Sequence, residues 1–205
     1  ISRMSMSCQP DVAVITNIGI SHIENLGTQE NILKAKLEIL DGAAYDAPLI
    51  LCRDDKLLAG VQLHSDRKVY YYSVSKKDCD VYASGVKTVD NSITFTINYE
   101  GGKIAAQINC LGEHNVKNAL AAFCVGLALD IPPEDIVKGI AQFKPEGLRQ
   151  NVTVIDGVTY IVDCYNAAPD SMKASLSVLS QAQAEGKRIC VLGDMLELSL
   201  IHISE

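Results

Sequence analysis

Two textures of apolar and polar positions alternate along the chain. Val12-Ala-Val-Ile-Thr-Asn-Ile-Gly-Ile20 is an apolar run of strand length, rich in β-branched residues, and reads as a buried strand of a parallel sheet. A polar loop over 21–27 follows. Thr28 then caps a predicted helix with Glu30 in its first turn, Ile32, Leu33, Leu37 and Leu40 at helical spacing, and an end near Gly42. Pro48-Leu-Ile-Leu-Cys52 is a second short apolar strand, followed by the acidic turn Asp54-Asp55. Strand, helix, strand is the unit of an α/β fold.

From Lys68 to Leu111 the period shortens to two. The runs 69–74, 81–84, 93–99 and 104–108, separated by Asp-Asn and Gly-Gly turns, predict an antiparallel meander. Helices are expected at 114–129 and 133–143, the second opened by Pro132-Pro133 and Glu134. Lys144-Pro-Glu-Gly147 marks a boundary. Beyond it, 152–155 and 158–162 flank Asp156-Gly157, a strong hairpin signal. A helix over 170–184 with Met172, Leu176 and Leu179 on one face and a strand at 188–192 complete the pattern. We therefore expect two α/β units, 1–147 and 148–205, with the second cut short.

Composition narrows the class. At 205 residues, 48% hydrophobic and 21% charged, the chain has the make-up of an ordinary globular protein. Eighteen basic against 25 acidic residues give a net charge of −7, and no Lys/Arg block occurs, so neither nucleic acid nor an anionic membrane is an expected partner. No apolar run approaches the roughly 18 residues of a membrane span, so no membrane insertion is expected. The seven cysteines are odd in number, scattered and without a C-x-x-C pair, which favours reduced core thiols and a cytoplasmic setting over a disulfide framework or a zinc site.

Several residues could carry chemistry. His22 follows the first strand, where parallel sheets bind ligands, although a lone histidine is equally a loop or core residue. Lys36 lies four residues from both Ile32 and Leu40, close to the apolar stripe. Partial desolvation there favours the neutral amine. A neutral amine can add carbon dioxide to become a carbamate, a carboxylate-like oxygen ligand suited to Mg²⁺. On the residues alone, a snorkelling lysine is the simpler account. Asn115 and Asn118, three apart on one helix face, could meet a purine edge or serve as ordinary caps. Arg149 and Asp163 flank the boundary, and taken singly each reads as a solvated surface charge.

Four stretches in order resemble one family. They are Asn17-Ile-Gly-Ile-Ser-His-Ile-Glu-Asn-Leu-Gly27, Ala35-Lys-Leu-Glu-Ile39, Gly112-Glu-His-Asn-Val-Lys-Asn-Ala-Leu-Ala-Ala122 and Asp163-Cys-Tyr-Asn-Ala-Ala-Pro-Asp-Ser-Met172. Together they are similar to the Mur ligases, ATP-dependent amide-bond-forming enzymes of peptidoglycan synthesis. The resemblance implies part of a central ATP-binding domain, followed by part of a Rossmann-like C-terminal domain. The stretch from Tyr165, with Leu192-Gly-Asp-Met-Leu-Glu-Leu198, points to the branch that joins D-alanyl-D-alanine to UDP-N-acetylmuramoyl-tripeptide through an acyl phosphate. It further implies that His22 and a carbamylated Lys36 serve Mg²⁺ and the acyl-phosphate step. Asn115 and Asn118 would lie beside adenine, and Arg149 and Asp163 would contact the nucleotide when the domains close.

Two departures bear on this. The family's Ala-Asn-Pro reads Ala167-Ala168-Pro169 here, and no G-x-x-x-x-G-K-[ST] phosphate loop occurs, since Gly101-Gly-Lys103 falls in a predicted hairpin. In the family that loop lies upstream, as does the uridine-nucleotide domain. With Ile1 in place of a Met, the expectation is a piece of a longer ligase that would not turn over alone. The segment 199–205 continues no readable pattern. The alternatives are a sister ligase adding a single amino acid, a folylpolyglutamate or cyanophycin ligase, or a non-catalytic binding homologue.

Overall fold

The computed structural model describes residues 1–20, 23–63, 66–89, 91–145, 147–182, 184 and 186–195. The elements in order are α1 (Ser2–Cys8), β1 (Ala13–Ile15), α2 (Ile23–Leu26), α3 (Gln29–Leu37), β2 (Leu49–Cys52), α4 (Lys56–Ala59), β3 (Val69–Ser73), β4 (Val81–Val89), β5 (Ser92–Tyr99), β6 (Gly102–Ile108), α5 (Glu113–Ala128), α6 (Pro133–Gln142), β7 (Asn151–Ile155), β8 (Val158–Val162) and α7 (Pro169–Gln181).

Strands β1 to β6 form one mixed sheet in sequence order, and β7 and β8 form a separate hairpin. β1, β2, β3 and β4 run parallel, with Ala13 opposite Leu49, Leu49 opposite Val69 and Tyr72 opposite Val81. Only β4, β5 and β6 are antiparallel in this sheet. The expected meander therefore begins one strand late. The run at 69–74 belongs to the parallel half because its backbone pairs with β2, and alternation alone cannot tell which neighbour a strand will find. β2 is buried along its whole length, as its unbroken apolar run requires.

Helix α5 lies across β2, β3 and β4 and buries Val116, Ala119, Leu120, Phe123 and Cys124, one stripe at three- and four-residue spacing. Phe123 meets Tyr99 edge to face, with ring centroids 5.3 Å apart. α6 packs on β6 through Ile136 and Ile140, and Gly126 of α5 lets Ile136 approach closely. Thr28 caps α3 as expected, its hydroxyl accepting from the Asn31 N–H at 3.2 Å, and a 3-10 turn at Glu38–Asp41 carries the chain to Gly42. The Asp156-Gly157 hairpin is present, both residues at positive φ (50° and 77°), as a tight two-residue turn requires.

Other expectations change. The strand foreseen over 12–20 is ordered as a strand only at Ala13–Ile15, because side chains and not a neighbouring strand hold Ile18: its N–H donates to Asp55 Oδ2 (2.6 Å) and its carbonyl accepts from Gln29 Nε2 (2.9 Å). Ile23–Leu26, placed in a loop, is a short helix. Val178 is the buried residue of α7, whereas Leu176 is 40% exposed, so the packed face is rotated from the one foreseen. Residues 188–192 are not in a strand: no described strand pairs with them, and Val191 is 95% exposed. Cys52, Cys110 and Cys124 are buried, but Cys8, Cys164 and Cys190 are exposed, so the thiols are not all core residues. Among the described residues no helix is long and apolar enough to cross a membrane.

Candidate functional site

The carboxyl ends of β1, β2 and β3 bring three short loops to one rim of the sheet, where open α/β sheets take ligands. Lys36, on the last turn of α3, reaches this rim. Its Nζ donates to the Asn17 carbonyl at 2.7 Å and lies 3.4 Å from Asn17 Oδ1. Burial pushes the amine below the ordinary lysine range, partly opposed by the negative charge of Asp55. Asp55 also shapes the rim: besides Ile18, its carboxylate accepts the Leu57 and Leu58 N–H groups (2.9 and 3.0 Å) and so caps α4. The neighbouring Asp54 accepts from Ser73 Oγ, Ser75 Oγ and the Val74 N–H at 2.5–2.9 Å. Burial favours its protonated form, but these donors outweigh it and hold the carboxyl below its usual range. His22 lies outside the described residues.

A second group forms where α5 begins. Asn115 Nδ2 donates to the Leu111 carbonyl and to Gln150 Oε1, both at 2.8 Å, so its amide hydrogens are spent inside the protein. Its Oδ1 faces Asn118 Nδ2 at 3.4 Å, and Asn118 is exposed. Asn115 is therefore not a helix cap; Gly112 holds that position, at φ 93°. His114 is pushed below its ordinary value by burial, opposed chiefly by its hydrogen bond with Gln150. Gln150 sits at φ 45°, unusual for a residue with a side chain. Next to it, the Arg149 guanidinium stands 4.2 Å from the centre of the Tyr165 ring. Asp163 accepts from Ser175 Oγ of α7. A cavity of about 300 Å³ opens beside this junction, lined in part by Cys110, Leu111, Lys144, Gln150, Val152 and Val178.

The structure thus joins Asn115 to Asn118 and places Arg149 and Asp163 on the flanks of the β7–β8 hairpin. Among the described residues no hydrogen bond ties Lys36 to that second group. Asp170, at the start of α7, comes close to the loop after β1: a Cβ on Gly19 would lie 3.4 Å from its Oδ2. Ala168 is the N-cap of α7 and supplies no side-chain cap. Gly101-Gly102-Lys103 lies at the β5–β6 turn, as expected. Asn17, Asp55, Gln150 and Tyr165 were not singled out from the sequence. Asn17 and Tyr165 stand inside the quoted motifs, Asp55 in the acidic turn after a strand and Gln150 beside Arg149, but their roles rest on partners far along the chain.

A mixed sheet whose parallel half carries a charged, oxygen-rich rim, packed with helices, makes this an α/β protein. The model of the Mur ligase middle domain matches residues 2–126, and that of the Mur ligase glutamate ligase domain matches residues 148–202. The chain belongs to the Mur ligase family. It is 40% identical over 199 residues to UDP-N-acetylmuramoyl-tripeptide–D-alanyl-D-alanine ligase of Bacillus subtilis, covering 97% of this chain and 42% of that protein. Among solved structures it matches MurF from Acinetobacter baumannii with a TM-score of 0.82 at 32% identity, over 89% of this chain and 40% of that one. It also matches MurF from Thermotoga maritima in complex with ADP, with a TM-score of 0.78 over 88% and 42%. At 24% identity that second match attests the fold alone. The chain thus spans about two fifths of the length of these relatives.

Proposed function

We propose that the chain is part of a ligase that joins D-alanyl-D-alanine to UDP-N-acetylmuramoyl-tripeptide at the expense of ATP, with residues 1–147 in its central domain and 148–205 in its C-terminal domain. The observation that carries this reading is the seating of Lys36. Its partly desolvated amine is held on the Asn17 oxygens at the carboxyl rim of the parallel half of the sheet, with the negative charge of Asp55 nearby. The likeness to a UDP-N-acetylmuramoyl-tripeptide–D-alanyl-D-alanine ligase along almost the whole chain supports the choice of acceptor.

The donor chemistry suits Mg²⁺ bound mainly through substrate phosphates. Among the described residues no group of three or more His, Cys, Asp or Glu side chains forms a cage, whereas hard oxygens of Asn17 and Asp55 line the rim. His22 and Lys36, the latter as its carbamate, would hold the ion, which when bound would offset charge where phosphate meets carboxylate. Lys36 is suited to carbamylation because its burial raises the fraction of neutral amine. Asn118, exposed and with an oxygen and one N–H to spare, would present its amide to adenine, while Asn115 holds it and Gln150 in place. Arg149 and Asp163 would meet the nucleotide from the second unit. Closure of that unit over the rim would exclude water that otherwise hydrolyses an acyl phosphate.

The test is an assay of the full-length ligase with ATP and the UDP-linked tripeptide, offering D-alanyl-D-alanine or single amino acids. ADP release and product mass should appear with the dipeptide; product from a single amino acid alone would overturn the reading. In the same assay, Lys36→Arg should lower turnover at least a hundredfold with the fold retained by circular dichroism, because a guanidinium cannot form the carbamate. Full activity of that variant would remove Lys36 from the mechanism.

A further inference from the structure

An arginine lies over a tyrosine ring beside the β7–β8 hairpin. Arg149 precedes β7 by two residues, and Tyr165 follows β8 by three. The strands leaving the hairpin slip by one residue: Asn151 pairs with Val162, but the Cys164 N–H donates to the Leu148 carbonyl at 2.9 Å, and this shift at Gln150 makes Tyr165 a diagonal neighbour of Arg149. Diagonal neighbours on such a ladder lie within reach of long and aromatic side chains. The guanidinium therefore rests on the ring, 4.2 Å from its centre. Tyr165 is 66% exposed, so the ring is not filling a core.

The chemistry of this contact is specific. An arginine held by a carboxylate spends its N–H donors on it, and its charge is largely neutralised. One held by an aromatic face keeps all five donors in a plane, pointing away from the ring, with its charge intact. Among the described residues Arg149 makes no ion pair. We propose that Tyr165 is a positioning residue: it presents the Arg149 guanidinium, with its donors unspent, to the polyphosphate of the nucleotide. The proposal rests on the assignment of Arg149 to the nucleotide. It adds that the orientation of Arg149 comes from an aromatic ring, whose hydroxyl is dispensable.

The experiment measures binding of a non-hydrolysable ATP analogue to the full-length ligase by calorimetry, together with KM for ATP and for the dipeptide. Arg149→Ala should weaken nucleotide binding at least tenfold. Tyr165→Ala should weaken it about two- to fivefold, the scale of one exposed cation–π contact. Tyr165→Phe should match wild type, Tyr165→Leu should behave like the alanine variant while keeping bulk, and KM for the dipeptide should not move. The variant with both residues changed to Ala should bind no more weakly than Arg149→Ala alone. Wild-type affinity in Tyr165→Ala, or additive losses in the double variant, would overturn the proposal while leaving Arg149 as a nucleotide contact. Wild-type affinity in Arg149→Ala would instead overturn the nucleotide assignment on which the proposal stands.

Discussion

A lysine amine and a histidine ring, each half-buried and each pushed toward its neutral form, mark the two ends of the candidate site. For Lys36 the cause is desolvation, offset by Asp55; for His114 it is desolvation, offset first by Gln150 and then by the charge of Asp163. The histidine has a consequence for stability. Its native value lies below the unfolded value of about 6.5. Above that pH both states are neutral and the group is silent. As the pH falls below it, the unfolded chain takes the proton first, so stability drops, and the loss is complete once the pH is below the native value. Between pH values of about 7.5 and 5, urea midpoints of wild type should therefore fall more than those of His114→Gln. Equal slopes would show that His114 stays solvated. The apolar spacing around Lys36 was readable because i±4 neighbours on one helix are local. The hydrogen bond that commits Asn115 to Gln150 was not, since Gln150 lies 35 residues away.

At the scale of elements, α5 and α6 approach each other closely. A Cβ on Gly126 would stand 2.5 Å from Cδ1 and 2.6 Å from Cγ1 of Ile136. Ile136 is β-branched and buried, so it has little freedom to move aside. Gly126→Ala should gain up to about 1 kcal/mol of helix propensity and lose about 1–3 kcal/mol to overpacking. The net expectation is destabilisation by roughly 1 kcal/mol, read from denaturant unfolding. In an Ile136→Ala background the clash is gone and the same substitution should stabilise. A stabilising effect in wild type would mean that the helices are farther apart than described. Here the sequence pattern was a good guide to both helices and to the hairpin at 156–157. It misassigned the strand at 69–74 and lengthened the one at 12–20, because strand pairing and the Asp55 and Gln29 hydrogen bonds to Ile18 come from outside the segment.

For the molecule as a whole, the sheet and α5 enclose one core, and the thiols report on it. Burial pushes Cys110 up to about 11 and raises Cys52 and Cys124 as well, so these are doubly protected, by access and by the scarcity of thiolate. Maleimide pulses followed by mass spectrometry should modify Cys8, Cys164 and Cys190 rapidly, and Cys52, Cys110 and Cys124 only after denaturation. Native labelling of Cys124 at the rate of Cys8 would contradict the packing of α5 on the sheet. By itself, the sequence determined the α/β class, most element positions and the residues in the family's motifs, because periodicity, capping and turn chemistry are carried by neighbours a few residues apart. Only the tertiary structure decided that β3 joins the parallel half, that Asp55 and Asn17 build the rim around Lys36, and that Tyr165 lies under Arg149. Each of these depends on groups brought together from distant segments, whose pairing no local pattern encodes.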